Sequence, residues 1–267
     1  MTLRARRNTI IGFIFLNCLV CIAGILGMSW LLYHYSPPAV SSLASIIDHL
    51  ITAYPGALYA IGLSLIGCSA IIVLFRFFRK SSISEMFLAI VAVGTLAFES
   101  VRLAYFFLQH YQQPLVYFEF VSRALVFFHI TGMIGFFFVS ILILGIQYQK
   151  VNNILYVQGI IGLMFAYSLP IRTTMHLSFA THPVGGPFTY TTLMGGITFL
   201  SVLNILFAWI QQRSMQNWRI NTGCGMMVIG RCLSIVLPSG YRVLGIVILV
   251  AGLILFSREQ YERYLWN

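Results

Sequence analysis

The sequence predicts an all-α protein, a polytopic bundle of about eight transmembrane helices, and two observations lead to that fold class. The first is composition: 59% of the 267 residues are hydrophobic and only 8% are charged, whereas about a quarter of the residues in a typical soluble domain carry a charge. The second is length, because apolar runs of about 20 residues, enough to cross the hydrocarbon core of a bilayer, recur along the chain. We therefore expect residues 1–267 to form a single integral membrane domain.

Most of the apolar runs are long enough to be predicted as spans without further evidence. They are Thr9–Tyr33, Tyr54–Phe78, Ile83–Leu108, Val116–Ile146, Ile154–Ile171 and Phe188–Ile210. Two shorter runs follow, Thr222–Leu237 and Tyr241–Phe256, and each would be about 24 Å long as a helix. This C-terminal pair either crosses a thin part of the bilayer or forms a re-entrant hairpin.

The distribution of cations predicts the orientation, because Lys and Arg near the ends of spans are retained on the cytoplasmic side. If the N-terminus is inside, eleven of the sixteen cations face the cytoplasm, and only Arg172 and Arg242 lie on outer segments. The inner cations are Arg4, Arg6, Arg7, Arg76, Arg79, Lys80, Lys150, Arg213, Arg219, Arg258 and Arg263. Both termini are then cytoplasmic, in what we expect to be a bacterial inner membrane. The net charge of +10 reflects topology, and without a basic stripe we expect no nucleic-acid partner.

The first outer connection has the pattern of an amphipathic helix lying along the membrane surface. Its apolar residues repeat at helical spacing and its polar residues fill the opposite face. The apolar set is Val40, Leu43, Ile46, Ile47, Leu50 and Ile51, and the polar set is Ser41, Ser42, Ser45, Asp48 and His49. The segment is either a surface helix that shields the bundle or a lid over a cavity.

Opposite charges lie inside two otherwise apolar spans. Glu99 and Arg102 are three residues apart, and Glu119 and Arg123 are four apart, so on each helix the acid and the base share a face. Charged groups within a membrane generally face the bundle interior and find partners. The four residues are either a clamp that fixes helix register or the lining of a site that an ion, proton or polar ligand enters from the outer side.

Arg231 and His129 extend this predicted cluster. Arg231 lies in a short span with no acid nearby, after the glycine-rich run Gly223 to Gly230, so its partner comes from another helix, the lipid interface or a bound anion. Interrupted helices line transporter sites, and a glycine-broken seventh segment is the best sequence indication of transport. His129 lies deep in a span, where it is either a packing residue or a proton relay.

Motifs for enzymatic chemistry are lacking. We find no catalytic nucleophile motif, P-loop or His-Glu-x-x-His sequence, so we predict no catalytic residue, and an enzyme is the less favoured interpretation. The five cysteines lie in apolar spans, where they pack as small side chains. The spacing of the histidines predicts no metal or haem site and no cofactor, although the sequence does not decide whether the outer histidines bind a metal.

The leading hypothesis is an integral membrane protein that binds or transports a small polar or anionic solute at a charged cavity in the outer half of the bilayer. The residues assigned to this cavity are Glu99, Arg102, Glu119, Arg123, His129 and Arg231. The alternative is a non-enzymatic sensor or scaffold that docks a membrane or cytoplasmic partner subunit. Besides the lipid bilayer, the expected partner is therefore either the solute or that subunit.

Overall fold

The computed structural model describes residues 3–35, 55–81, 84–145, 151–170, 187–211, 215–236 and 241–266. Within these ranges the chain forms eight helices and no strand, which confirms the predicted all-α bundle. In chain order they are α1 Leu3–Tyr35, α2 Pro55–Ser81, α3 Ser84–His110, α4 Leu115–Ile143, α5 Val151–Ser168, α6 Pro187–Gln211, α7 Met215–Val236 and α8 Arg242–Trp266. The predicted interfacial helix and most of the outer loop before α6 lie outside the described residues.

Six of the described helices are long and apolar enough to cross a membrane, which fits a multi-pass membrane protein. They are α1, α2, α3, α4, α6 and α8. The C-terminal helices are longer than the sequence predicts: α7 has 22 residues and α8 has 25, or about 33 and 37 Å at 1.5 Å per residue. Those lengths are sufficient for full spans of a hydrocarbon core about 30 Å thick.

Helices α3 and α4 form the enclosed centre of the bundle. In their most apolar windows, 89% of α3 and 72% of α4 are buried within the protein, compared with 17% of α1 and 22% of α6. The outer helices present large apolar side chains outward, such as Phe15 on α1 and Phe207 on α6, as expected of surfaces that face lipid. Charged groups that point into this centre, such as Glu99 and Arg102 of α3, are therefore removed from both water and lipid.

Glycines join α7 closely to α8, in antiparallel register. A methyl group added at Gly230 would overlap the backbone of Leu249 and Gly245, and one added at Gly223 would lie 2.8 Å from the backbone nitrogen of Phe256. Small residues at such positions let helix backbones approach each other. The prediction of a glycine-broken seventh segment is therefore wrong: α7 is one continuous helix from Met215 to Val236, because its glycines face a partner helix instead of ending a helical turn.

Candidate functional site

The site begins with a change of helix type in the middle of α3. This helix is α-helical over Ser84–Gly94, becomes a 3₁₀ helix over Thr95–Leu103, and returns to α-helix at Ala104–His110. A 3₁₀ helix has three residues per turn, so side chains at positions i and i+3 lie directly above one another. The tighter winding aligns Glu99 with Arg102, whose Nε donates to Glu99 Oε2 at 3.0 Å.

Glu99 also starts a chain of hydrogen bonds that links three helices. Its Oε1 contacts Nε2 of His129 on α4, and Nδ1 of His129 lies 2.6 Å from the hydroxyl of Tyr190 on α6. All three side chains are buried, with 2%, 5% and 7% of their surface exposed. The structure thus joins a carboxylate, an imidazole and a phenol in one line, and each can hold or pass a proton.

Arg231 lies beside this chain, and its guanidinium is fully enclosed. It is 0% exposed. Its Nη2 donates to the Thr95 hydroxyl at 2.7 Å, and its longer contacts, at 3.4 Å, are to the carbonyl oxygens of Ala92 and Phe128. Gly132 on α4 provides the room, because a methyl group there would overlap both the guanidinium and the Thr95 hydroxyl. Among the described residues, no carboxylate pairs with Arg231 and its Nε has no partner.

Glu119 and Arg123 have different surroundings from Glu99 and Arg102. Their side chains are 39% and 24% exposed, and Arg123 Nη2 donates to Glu119 Oε1 at 2.6 Å. Nη1 of Arg123 donates to the carbonyls of Ala166 and Tyr167 at 2.8 and 3.0 Å. These carbonyls belong to the last turn of α5, where an arginine satisfies acceptors that lack partners within the helix. The pair therefore fastens α4 to the end of α5.

Of the six predicted site residues, Glu99, Arg102 and His129 are in mutual contact through Glu99, and Arg231 reaches the same helices through Thr95 and the Phe128 carbonyl. The contacts of Glu119 and Arg123 described above lead to α5. Sequence reasoning missed Tyr190 and Thr95. Both are uncharged residues of apolar spans, and the only available signal was the position of Thr95, four residues before Glu99.

Arg242 was predicted only as a cation of an outer segment, but it is buried, with its guanidinium 5.0 Å from the centre of the Tyr59 ring. The Tyr59 hydroxyl donates to the carbonyl of Ser234, three residues after Arg231. Where the end of α7 meets the start of α8, a second arginine thus lies close to the same part of the bundle.

In the ranges that the structure describes, no group of three or more His, Cys, Asp or Glu side chains is arranged to hold a metal ion. No protein-family model matches the chain, and comparison with curated proteins and with solved structures finds no similar one.

Proposed function

We propose that this protein is an inner-membrane carrier that binds a small oxyanion at Arg231. The observation that carries the proposal is a difference between the partners of two buried arginines, Arg102 and Arg231. Among the described residues, Arg102 forms an ion pair with Glu99 at 3.0 Å. Arg231 is more deeply buried, donates to a hydroxyl and two carbonyls, and has Glu99 within electrostatic range but not in contact.

A buried arginine that shares one carboxylate with a second arginine, as Arg231 shares Glu99 with Arg102, is costly inside a membrane protein. The effective penalty for burying an ion is several kcal/mol, and it is offset when an opposite charge and further hydrogen bonds surround it. Hydroxyl and carbonyl groups supply part of this stabilisation, but no negative charge. A bound anion beside Arg231 would supply that charge, and the unpartnered Nε of Arg231 is a donor suited to it.

The chemistry of the guanidinium favours a particular class of ligand. Its planar fork of donors matches the paired oxygen atoms of a carboxylate, nitrate, sulfonate or phosphate group. Arg231 lies five residues before the end of α7 at Val236, and that end faces outward in the orientation predicted from the cations. We therefore expect the oxyanion to enter from the outer side, as predicted for the charged cavity.

The 3₁₀ segment of α3 supports movement at this site. A stretch of 3₁₀ helix within a longer helix often marks a hinge, and Thr95–Leu103 carries Thr95, Glu99 and Arg102. A shift of this segment toward regular α-helix would rotate these side chains relative to one another. Such a change would open or close the surroundings of Arg231, which a carrier requires.

The test is anion-dependent stabilisation of the purified protein in detergent. Sodium nitrate, methanesulfonate and sulfate are each titrated while the sodium concentration is held constant with sodium chloride. We expect at least one of the three oxyanions to raise the unfolding temperature of the wild type. At about 100 times its Kd, a bound ligand adds about 2.7 kcal/mol of stability.

Two variants locate the effect. Arg231→Met retains a long side chain but removes the charge, and we expect it to fold and to lose the response to the oxyanion. Arg123→Met removes the arginine of α4 that donates to the last carbonyls of α5 and should keep the response. The proposal fails if the wild type responds to none of these anions, or if Arg231→Met responds as strongly as the wild type.

A flux measurement separates a carrier from a sensor. Proteoliposomes containing the wild type should take up the oxyanion that stabilises it, and those containing Arg231→Met should not. Stabilisation without flux would favour the alternative hypothesis, in which the bundle senses the anion and passes the signal to a partner subunit.

A further inference from the structure

We propose that the hydrogen-bonded chain of Glu99, His129 and Tyr190 couples oxyanion binding at Arg231 to the uptake of one proton by His129. This inference rests on the proposed function, since it assigns a second, linked ligand to the same site.

The contacts of the imidazole define where its protons lie. The Glu99 carboxylate only accepts hydrogen bonds when ionised, so the single hydrogen of neutral His129 lies on Nε2 and points to Glu99. Nδ1 is then an acceptor, and the Tyr190 hydroxyl, 2.6 Å away, donates to it. In this state Tyr190 has no hydrogen to offer to a ligand.

Protonation reverses the last bond of the chain. A proton from water adds to Nδ1, which becomes a donor, and the Tyr190 oxygen becomes its acceptor. The hydroxyl hydrogen of Tyr190 stays on its oxygen but no longer bonds to His129, so it can rotate toward a new acceptor. No covalent bond other than the new N–H forms, and the site gains one positive charge. Tyr190 and Arg231 lie within electrostatic range of each other, so an oxyanion near Arg231 would be a suitable acceptor for this hydrogen.

The surrounding charges give the sign of the coupling. Facing His129 are Glu99 and Arg102 from α3, Tyr190 from α6 and Arg231 from α7. On α5, which packs against α4, the tyrosines Tyr156 and Tyr167 are exposed. Among the described residues, a charged His129 would be a third cation, beside Arg102 and Arg231, near the one carboxylate of Glu99. A bound oxyanion offsets that repulsion, so each ligand favours binding of the other.

The experiment measures oxyanion affinity as a function of pH. The probes are nitrate and methanesulfonate, which stay ionised between about pH 5 and about pH 8, the range in which an unperturbed imidazole changes charge. We expect the affinity of the wild type to increase as the pH falls, by at most about tenfold per pH unit, the limit for one linked proton. In weakly buffered detergent solution, adding the oxyanion should also make the solution more alkaline, by up to one proton per protein.

The matched variants are His129→Gln and His110→Gln. A glutamine at position 129 can donate to Glu99 and accept from Tyr190, as neutral histidine does, so the oxyanion should still bind, but with an affinity that does not depend on pH. His110 is exposed at the end of α3, and its variant should behave as the wild type. Tyr190→Phe provides a second measurement, because losing the released hydrogen should reduce proton uptake and weaken oxyanion binding more at low pH than at high pH.

The outcomes separate the two proposals. Oxyanion binding that does not depend on pH in the wild type, or that depends on pH equally in His129→Gln, would overturn the coupling and leave the oxyanion site intact. If His129→Gln does not fold, normal proton uptake in Tyr190→Phe would overturn the coupling by itself. Absence of oxyanion binding to the wild type at every pH would overturn both.

Discussion

Two acid–base pairs lie on the same helical hairpin with nearly the same spacing, and they end in different surroundings. Glu99 and Arg102 on α3 are buried, and Glu99 also contacts His129 on α4. The side chains of Glu119 and Arg123 on α4 are 39% and 24% exposed, and Arg123 extends to the last carbonyls of α5. The first pair belongs to a buried polar centre, whereas the second is partly exposed and joins α4 to α5.

The difference shows that spacing identifies partners on one helix but does not determine what the pair does. Burial in the bundle makes the first pair expensive to form, so its charges require additional partners. The second pair keeps part of its hydration, and pairs of this kind contribute little to stability. A functional role is therefore easier to assign where the cost is high and the described contacts of a charged group include no opposite charge, as at Arg231.

The largest expected effect is that of removing the acid of each pair. Glu99→Gln leaves Arg102 buried without its counter-ion, and breaking a buried pair in this way costs about 3–5 kcal/mol. Glu119→Gln leaves Arg123 bonded to the α5 carbonyls and partly hydrated, so we expect a cost below about 1 kcal/mol. The free energy of unfolding in mixed detergent micelles, measured for both variants, checks this difference. Equal costs would mean that the two pairs do not differ as their burial indicates.

A smaller effect is expected from filling the space beside Arg231. A methyl group in Gly132→Ala would overlap the guanidinium and the Thr95 hydroxyl, and inserting a methyl group into a packed interior typically costs about 1–3 kcal/mol. Gly159→Ala on α5 is the control, because nothing lies within 4 Å of the added carbon and alanine is the better helix former by about 1 kcal/mol. Thermal unfolding should show a lower midpoint for the first variant only. A Gly132→Ala variant as stable as Gly159→Ala would show that Arg231 can move away at no cost.

Much of the fold follows from the sequence because burial of apolar runs in a bilayer leaves few alternatives to helices. The predicted span Val116–Ile146 corresponds to α4 at Leu115–Ile143. Helix α7 was predicted less well: its first turns carry the polar residues Arg219 and Asn221, and Asn221 is buried, so the apolar run that begins at Thr222 is shorter than the helix. Its glycines were visible, but only the partner helix shows what they contact.

The site was partly predictable for a similar reason. Charged residues in apolar spans are conspicuous, so Glu99, Arg102, His129 and Arg231 were identified, and helical spacing paired the first two. The sequence does not show how neighbouring helices are aligned, and it is this alignment that places Tyr190 of α6 beside His129 of α4. It also gives no sign that α3 changes to a 3₁₀ helix at Thr95.

The smallest expected effect is that of salt on the coupling free energy within each of the two pairs. In a double-mutant cycle, the coupling free energy of Glu119 and Arg123 should be about 0.3–0.5 kcal/mol, as for other pairs four residues apart on a helix. Because both side chains are partly exposed, raising the ionic strength to about 1 M, where the Debye length is about 3 Å, should remove most of that coupling. The coupling of Glu99 and Arg102 should persist, since salt does not reach buried side chains.

The measurement is unfolding in a non-ionic detergent at low and high sodium chloride concentration. Arg258 and Glu262, an exposed pair with the same spacing as Glu119 and Arg123, are the reference for complete screening. If the coupling of Glu99 and Arg102 falls as much as that of the reference pair, then water and ions reach the centre of the bundle, and the charges there are not enclosed as the structure shows.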